Sequence, residues 1–183
     1  IASCLVGSEM CIRDRVITLN GNSSVTVELG ESYSDAGATA IDNKDGTVTV
    51  TTSSNVNTSI VGSYTVTYSA TDAAGNTATA TRTVNVVDTT SPVLIVTGDN
   101  PASVELGETY TDAGATATDA SGSINVVTSG EVDTNTVGTY TLTYTATDAS
   151  GNSDTATRTV NVVDTTVPEI TVTGDNPATA EIG

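Results

Sequence analysis

Aspartates recur at a fixed register along this chain, and they are the side chains best placed to do chemistry. Asp42, Asp72, Asp88 and Asp99 return as Asp119, Asp148, Asp164 and Asp175. Carboxylates serve either as acid–base partners or as oxygen ligands for a hard cation. The first role lacks its usual companions: the chain has no His, which excludes the Ser–His and Cys–His pairs of nucleophilic catalysis. A pair of carboxylates acting alone remains possible, because Asp and Glu are plentiful. The second role asks only that several oxygens meet, and whether they meet depends on the elements that carry them.

Those elements are announced by internal repetition. VELGESYSDAGATA at Val27–Ala40 recurs as VELGETYTDAGATA at Val104–Ala117, and YTVTYSATDAAGN at Tyr64–Asn76 recurs as YTLTYTATDASGN at Tyr140–Asn152. PVLIVTGDNPASVELG at Pro92–Gly107 returns once more as PEITVTGDNPATAEIG at Pro168–Gly183. The register gives a first repeat at 16–88, a linker at 89–92, a second repeat at 93–164, and over 165–183 a linker with the truncated opening of a third. Both ends of the chain are expected to be cuts in a longer protein.

Residues 1–15 stand outside this register. They hold both cysteines, Cys4 and Cys11, and Leu5–Asp14 resembles the translation of a transposase adapter used for sequencing libraries. They are therefore expected to be a non-native leader and are set aside from the fold. Without them the chain keeps twenty acidic and three basic residues, still a formal charge of −17, and no Cys. Such a charge repels nucleic acid and anionic membrane surfaces and favours bound cations. No apolar run reaches the length of a transmembrane helix.

Each repeat reads as β throughout. Tyr64, Val66, Tyr68 and Ala70 alternate with Thr65, Thr67, Ser69 and Thr71, the period of a half-buried strand. Asp72-Ala73-Ala74-Gly75-Asn76 supplies turn chemistry, and Thr77–Val87 alternates again, so a long hairpin closes the unit. Shorter strands are predicted at Val16–Asn20, Val25–Leu29, Ala36–Ile41 and Thr47–Thr52. Several short strands with regular turns argue for an all-β fold of two tandem sandwiches. Tyr64 and Tyr140 open the penultimate strands, where sandwiches often place a tyrosine corner, and Tyr68 and Tyr144 share their inward parity. Arg82 and Arg158 have the parity of the inward valines, and ion pairs Arg82–Asp35 and Arg158–Asp112 are predicted.

The run G-x-Y-T-V-T-Y-x-A-T-D-x-x-G-N, followed by R-T-V-N-V and preceded by V-E-L-G-x-x-Y-x-D-x-G-A-T-A, resembles a family of bacterial immunoglobulin-like repeats found in tandem in exported surface proteins. One member occurs in an insecticidal crystal toxin, and hyalin repeats are distantly similar. The resemblance implies small immunoglobulin-like β-sandwiches, extracellular or at the cell surface, without a catalytic site. A non-catalytic spacer or stalk of an adhesin is the expected role. The alternative is a carbohydrate- or host-ligand-binding module of a larger adhesin or secreted hydrolase, and a third reading is an enzyme's accessory domain.

With a sandwich in hand, the aspartates can be placed. The closing hairpin turn and an earlier inter-strand loop lie at the N-terminal end of a unit. Asp119, Asp148 and Asn152 of the second repeat should therefore face the linker that begins at Asp88. Three carboxylates and an amide around a short linker suit Ca2+, which takes six to eight oxygens. No EF-hand is present, since Asp42-Asn43-Lys44-Asp45-Gly46 has Lys at its third place. The other expected partners are the neighbouring repeats of the same chain, with carbohydrate or a host surface reached through other domains.

Overall fold

The computed structural model describes residues 15–173. The leader expected at 1–15, Arg15 apart, and the end of the third-repeat opening from 174 onward, Asp175 included, lie outside the described residues. Among the described residues every regular element is a strand.

The first repeat holds β1 (Arg15–Leu19), β2 (Ser24–Glu28), β3 (Ala38–Asp42), β4 (Gly46–Val48), β5 (Val50–Ser54), β6 (Gly62–Thr71) and β7 (Thr77–Val87). They form a three-stranded sheet in the order β1-β3-β4 and a four-stranded sheet in the order β2-β7-β6-β5. The second repeat holds β8 (Val93–Val96), β9 (Ala102–Glu105), β10 (Ala115–Asp119), β11 (Gly122–Ser123), β12 (Asn125–Ser129), β13 (Gly138–Thr147) and β14 (Ser153–Val163). Its sheets run β11-β10-β8 and β12-β13-β14-β9, the same plan. Residues 164–173 follow without strand or helix.

The alternation in β6 is the physical origin of the core. Val66, Tyr68 and Ala70 are buried while Thr65 and Thr71 face out. Val66, Tyr68 and Val84 pack against Ile17, Leu19 and Ala38 of one sheet and Val27 and Val50 of the other. Leu142, Tyr144 and Val160 do the same in the second repeat with Leu94, Val96, Val104 and Val126. Each such side chain contributes about 1.5–3 kcal/mol on full burial. The outer face pairs Thr with Thr across the hairpin, as in Thr65↔Thr83, Thr67↔Thr81 and Thr71↔Thr77. These are β-branched pairs suited to a pleated surface.

Two features depart from the sequence expectation. The run predicted as one strand at Thr47–Thr52 is two strands in different sheets: β4 pairs with β3, Ala40 opposite Val48, and β5 pairs with β6, Val50 opposite Ala70. The chain changes sheet at Thr49, a switch that alternation does not encode. The strand predicted from Ala36 starts instead at Ala38. Asp35 accepts a hydrogen bond from the Gly37 amide at 3.2 Å, and Gly37 sits at φ +76°, so these residues form a turn.

The chain divides into two compact units. The first comprises residues up to Val93 together with Ala117–Asn125 and Ala146–Asp154, and the second comprises Leu94–Thr116, Val126–Thr145 and the chain from Thr155. Two loop regions of the second sequence repeat thus belong to the first compact unit, and the candidate site lies within that unit.

Candidate functional site

The repeated arginines anchor each sandwich. Arg82 is 1% exposed, and its Nη1 pairs with Asp35 as the parity predicts. Its Nη2 donates to the Asn20 carbonyl at 2.5 Å and its Nε to the Asn22 carbonyl at 2.9 Å. Arg158 pairs with Asp112 at 2.7 Å, the second predicted pair, and donates to the carbonyls of Thr97 and Gly114. Each guanidinium lies beside a tyrosine ring, Tyr68 at 5.5 Å and Tyr144 at 5.8 Å from the centroid. Tyr68 and Tyr144 donate their hydroxyls to Asp35 and Asp112 at 2.6 and 2.7 Å. Burial raises the Asp35 carboxyl, but hydrogen bonds from Tyr68 and Tyr33 and the Arg82 charge outweigh it, so it lies below the usual carboxylate range. Tyr64 and Tyr140 form the expected corners, donating to the carbonyls of Ile60 and Thr136 at 2.8 and 2.9 Å.

These tyrosines give the fold a defined alkaline limit. Burial, then the hydrogen bond to Asp35 or Asp112, pushes Tyr68 and Tyr144 each up to about 12 from 10.0. An unfolded tyrosine loses its proton near pH 10, before the folded one does, so the unfolded state binds fewer protons between pH 10 and 12. Stability is therefore fully present below pH 10 and falls as pH rises toward 12. Urea midpoints measured across this range should decline, and the decline should be shallower in Tyr68→Phe and Tyr144→Phe. Equal slopes in the variants and the parent would contradict this assignment.

The acidic loops converge as well. Carboxylate oxygens of Asp88, Asp119 and Asp148 all lie within 4.8 Å of one another. Two oxygens bound to one Ca2+ at about 2.4 Å can be at most about 4.8 Å apart, so this spacing is what one ion could span. Asp88 and Asp148 are 8% and 7% exposed, and Asp119 is half-buried. Ser150 donates its hydroxyl to Asp88 Oδ2 at 3.2 Å. Asn152 Nδ2 donates to the Asp88 carbonyl at 3.1 Å and to Asp148 Oδ2 at 2.8 Å, so the fourth predicted residue holds two of the other three. Burial raises the Asp148 carboxyl, yet hydrogen bonds from Asn152, Ser150 and Gly151 bring it below the ordinary range. The loop is shaped for a carboxylate, and not for a carboxylic acid.

The first repeat presents the same residues with a cation in place. Asn76 Nδ2 donates to Asp72 Oδ2 at 2.8 Å, as Asn152 does to Asp148. Between Asp72 and Asp42 sits the guanidinium of Arg15, whose Nη2 lies 2.5 Å from Asp72 Oδ2 and 3.2 Å from Asp42 Oδ2. Its Nη1 donates to the carbonyls of Asn76 and Ala70 at 2.7 and 3.2 Å. The register counterpart of Arg15 is the uncharged Pro92. Arg15 was set aside with the leader, and its signal was parity: it is buried alongside Ile17 and Leu19 on the inner face of β1.

A second contact escaped the sequence. Glu28 accepts hydrogen bonds from the Thr89 amide at 2.6 Å, the Thr89 hydroxyl at 3.0 Å and the Thr90 hydroxyl at 3.1 Å. Glu105 holds Thr165 and Thr166 in the same way, starting from the Thr165 amide at 2.6 Å. The recurrence of Val-Glu-Leu-Gly and Val-Asp-Thr-Thr was the available clue. The carboxylate fixes the segment directly after Asp88 and Asp164.

Comparisons with known proteins bear on the repeats as a whole. Hyalin of Strongylocentrotus purpuratus is 44% identical over 136 residues, covering 67% of this chain and 11% of its own. Hyalin of Lytechinus variegatus is 41% identical over 133 residues, covering 67% and 25%. A serine-rich adhesin for platelets of Staphylococcus aureus is 34% identical over 159 residues, covering 72% and 7%. The chain thus spans a quarter or less of the length of these relatives. A family model for the Ig-like domain of bacterial surface proteins matches twice, at residues 17–86 and 94–162, almost the whole of both sandwiches. Two matched sandwiches in register, each tied by its own Arg–Asp–Tyr cluster, make this chain a member of the bacterial surface protein Ig-like domain family.

Proposed function

We propose that this chain is a non-catalytic spacer segment of an exported bacterial surface protein, such as the stalk of an adhesin. Its joint would be stiffened by Ca2+ held by Asp88, Asp119 and Asp148. One observation carries the calcium reading. The Asp42–Asp72–Asn76 group of the first repeat holds a guanidinium, whereas Asp119–Asp148–Asn152 gathers a third carboxylate, Asp88, and no described Arg or Lys reaches it. Buried carboxylates at this spacing repel one another strongly unless a cation sits among them. The repeated architecture and the resemblance to an adhesin support the spacer role. So does the placement of the tyrosines. A sugar platform needs aromatic faces open to solvent, and all six Tyr are buried or half-buried.

The test is a thermal melt of the chain in chelator and in millimolar Ca2+. A ligand at a hundred times its Kd stabilises the folded state by about 2.7 kcal/mol. The expected result is a rise in Tm of several degrees that is lost in Asp88→Ala and in Asp148→Ala. An unchanged Tm on adding Ca2+ would leave the aspartates as turn caps alone.

A further inference from the structure

Leu29, Val61 and Val87 form an apolar face at the end of the first repeat, and residues of two later loops complete its lining, namely Ser121, Ala149 and Ser150. The cover is visible in the numbers. Leu29 is 8% exposed, and a Cβ built on Gly30 would lie 4.0 Å from the Ala120 Cβ. Asp88, on the rim, is 8% exposed and receives Ser150 and Asn152 as described.

The second repeat carries the same face uncovered. Leu106, Val137 and Val163 stand at the register of Leu29, Val61 and Val87, and Asp164 stands at that of Asp88. Leu106 is 37% exposed, more than four times the value at Leu29, whereas Val137 at 56% is close to Val61 at 49%, so the cover lies over the leucine and the rim aspartate. A Cβ built on Gly107 would meet nothing within 4 Å, and Asp164 is exposed. The backbone beneath is already set, because the Leu106 amide donates to the Val163 carbonyl at 2.7 Å, as the Leu29 amide does to that of Val87. Glu105 likewise holds Thr165 and Thr166 in place.

We propose that the Leu106–Val137–Val163 face, with Asp164 at its rim, is the receiving surface for a following repeat of the same kind. Its occupant is the pair of loops that correspond to 119–122 and 148–152. A repeat with the opening sequence found at Pro168–Gly183, which matches Pro92–Gly107, would supply them. The occupied face of the first repeat supplies the chemistry. Small side chains, Ala120 beside Gly30 and Ala149 in the lining, accompany the leucine, and an asparagine amide donates to the carbonyl of the linker aspartate. The contact is head to tail, so each repeat added covers one such face and exposes another.

Amide exchange tests this directly, read in chelator so that the outcome does not depend on calcium. In the chain as it exists, the Leu106 amide should exchange ~10-fold faster than that of Leu29, although both make the same hydrogen bond. Appending a second copy of residues 93–164 after Pro168 should slow Leu106 by a similar factor. Val137→Asp should abolish that slowing while leaving the Tm of the two-repeat chain unchanged. If Leu106 exchanges at the same rate with and without the appended repeat, the face is not a receiving surface.

Discussion

Arg82→Met unfolds the first repeat under conditions where the second remains folded. The guanidinium is 1% exposed and satisfies Asp35 together with the carbonyls of Asn20 and Asn22. Methionine matches the stem in volume but returns none of these donors, so the carboxylate and both carbonyls lose a partner at once. Breaking a buried ion pair by removing one member costs about 3–5 kcal/mol. Asp35 is 23% exposed at its side chain, so water screens part of the stranded charge and the lower figure, about 3 kcal/mol, is the one expected. The hydroxyls of Tyr68 and Tyr33, 2.6 and 2.9 Å from Asp35, also hold part of that charge. Against this, a domain of this size has only about 4–10 kcal/mol of total stability. Urea unfolding of Arg82→Met, followed by amide exchange in β6 and in β13, should show two separated transitions with the first repeat melting early. Arg158→Met should reverse their order. A single transition at the parent's midpoint in both variants would mean that the arginines are surface residues in all but geometry.

Much of this was legible because the relevant signals are local. Inward parity placed Tyr64, Tyr68, Val84 and Arg82 correctly, and Asp35, in the repeated Tyr-x-Asp-x-Gly, was a ready mate for a buried cation. The convergence of Asp88, Asp119 and Asp148 followed from topology, since both loops belong to one end of a sandwich. What remained hidden has physical reasons. Thr47–Thr52 alternates without a break, and only hydrogen-bond partners reveal that Val48 faces Ala40 whereas Val50 faces Ala70. β2 runs parallel to β7, Val25 opposite Val84, a pairing between segments so distant in sequence that no local pattern announces it. Asn152 was grouped with the ligands for its oxygen, but its amide protons are what the neighbouring acceptors engage. Arg15 directly follows residues that stand outside the repeat register, which masks it, although its own parity belongs to β1.

Arg15→Asp converts the first repeat from a self-neutralised unit into one that depends on added cation. Residue 15 stands directly opposite Asp42 in the β1–β3 register, so an aspartate there would add a third carboxylate across the strands from Asp42, whose cluster already includes Asp72. The group would then match Asp88–Asp119–Asp148 in composition, with Asn76 in the place of Asn152. In chelator, like charges facing across the strands and the loss of the guanidinium act in the same direction, and the Tm of the first repeat should fall by many degrees. Acid should relieve part of the fall. Asp42, through the Lys44 and Asp45 amides, and Asp72, through Asn76, are held below the usual carboxylate range. Protonating these carboxylates removes the repulsion, so the deficit relative to the parent should narrow as the pH falls through the acid range. Millimolar Ca2+ should restore most of the loss, and calorimetric titration should find two bound ions per chain where the parent binds one. Arg15→Leu separates cation dependence from simple loss of packing: it removes the guanidinium without adding a carboxylate, so calcium should restore less. If Arg15→Asp melts at one temperature with and without calcium, the two acidic clusters are not equivalent. The guanidinium of Arg15 would then say nothing about what Asp88, Asp119 and Asp148 hold.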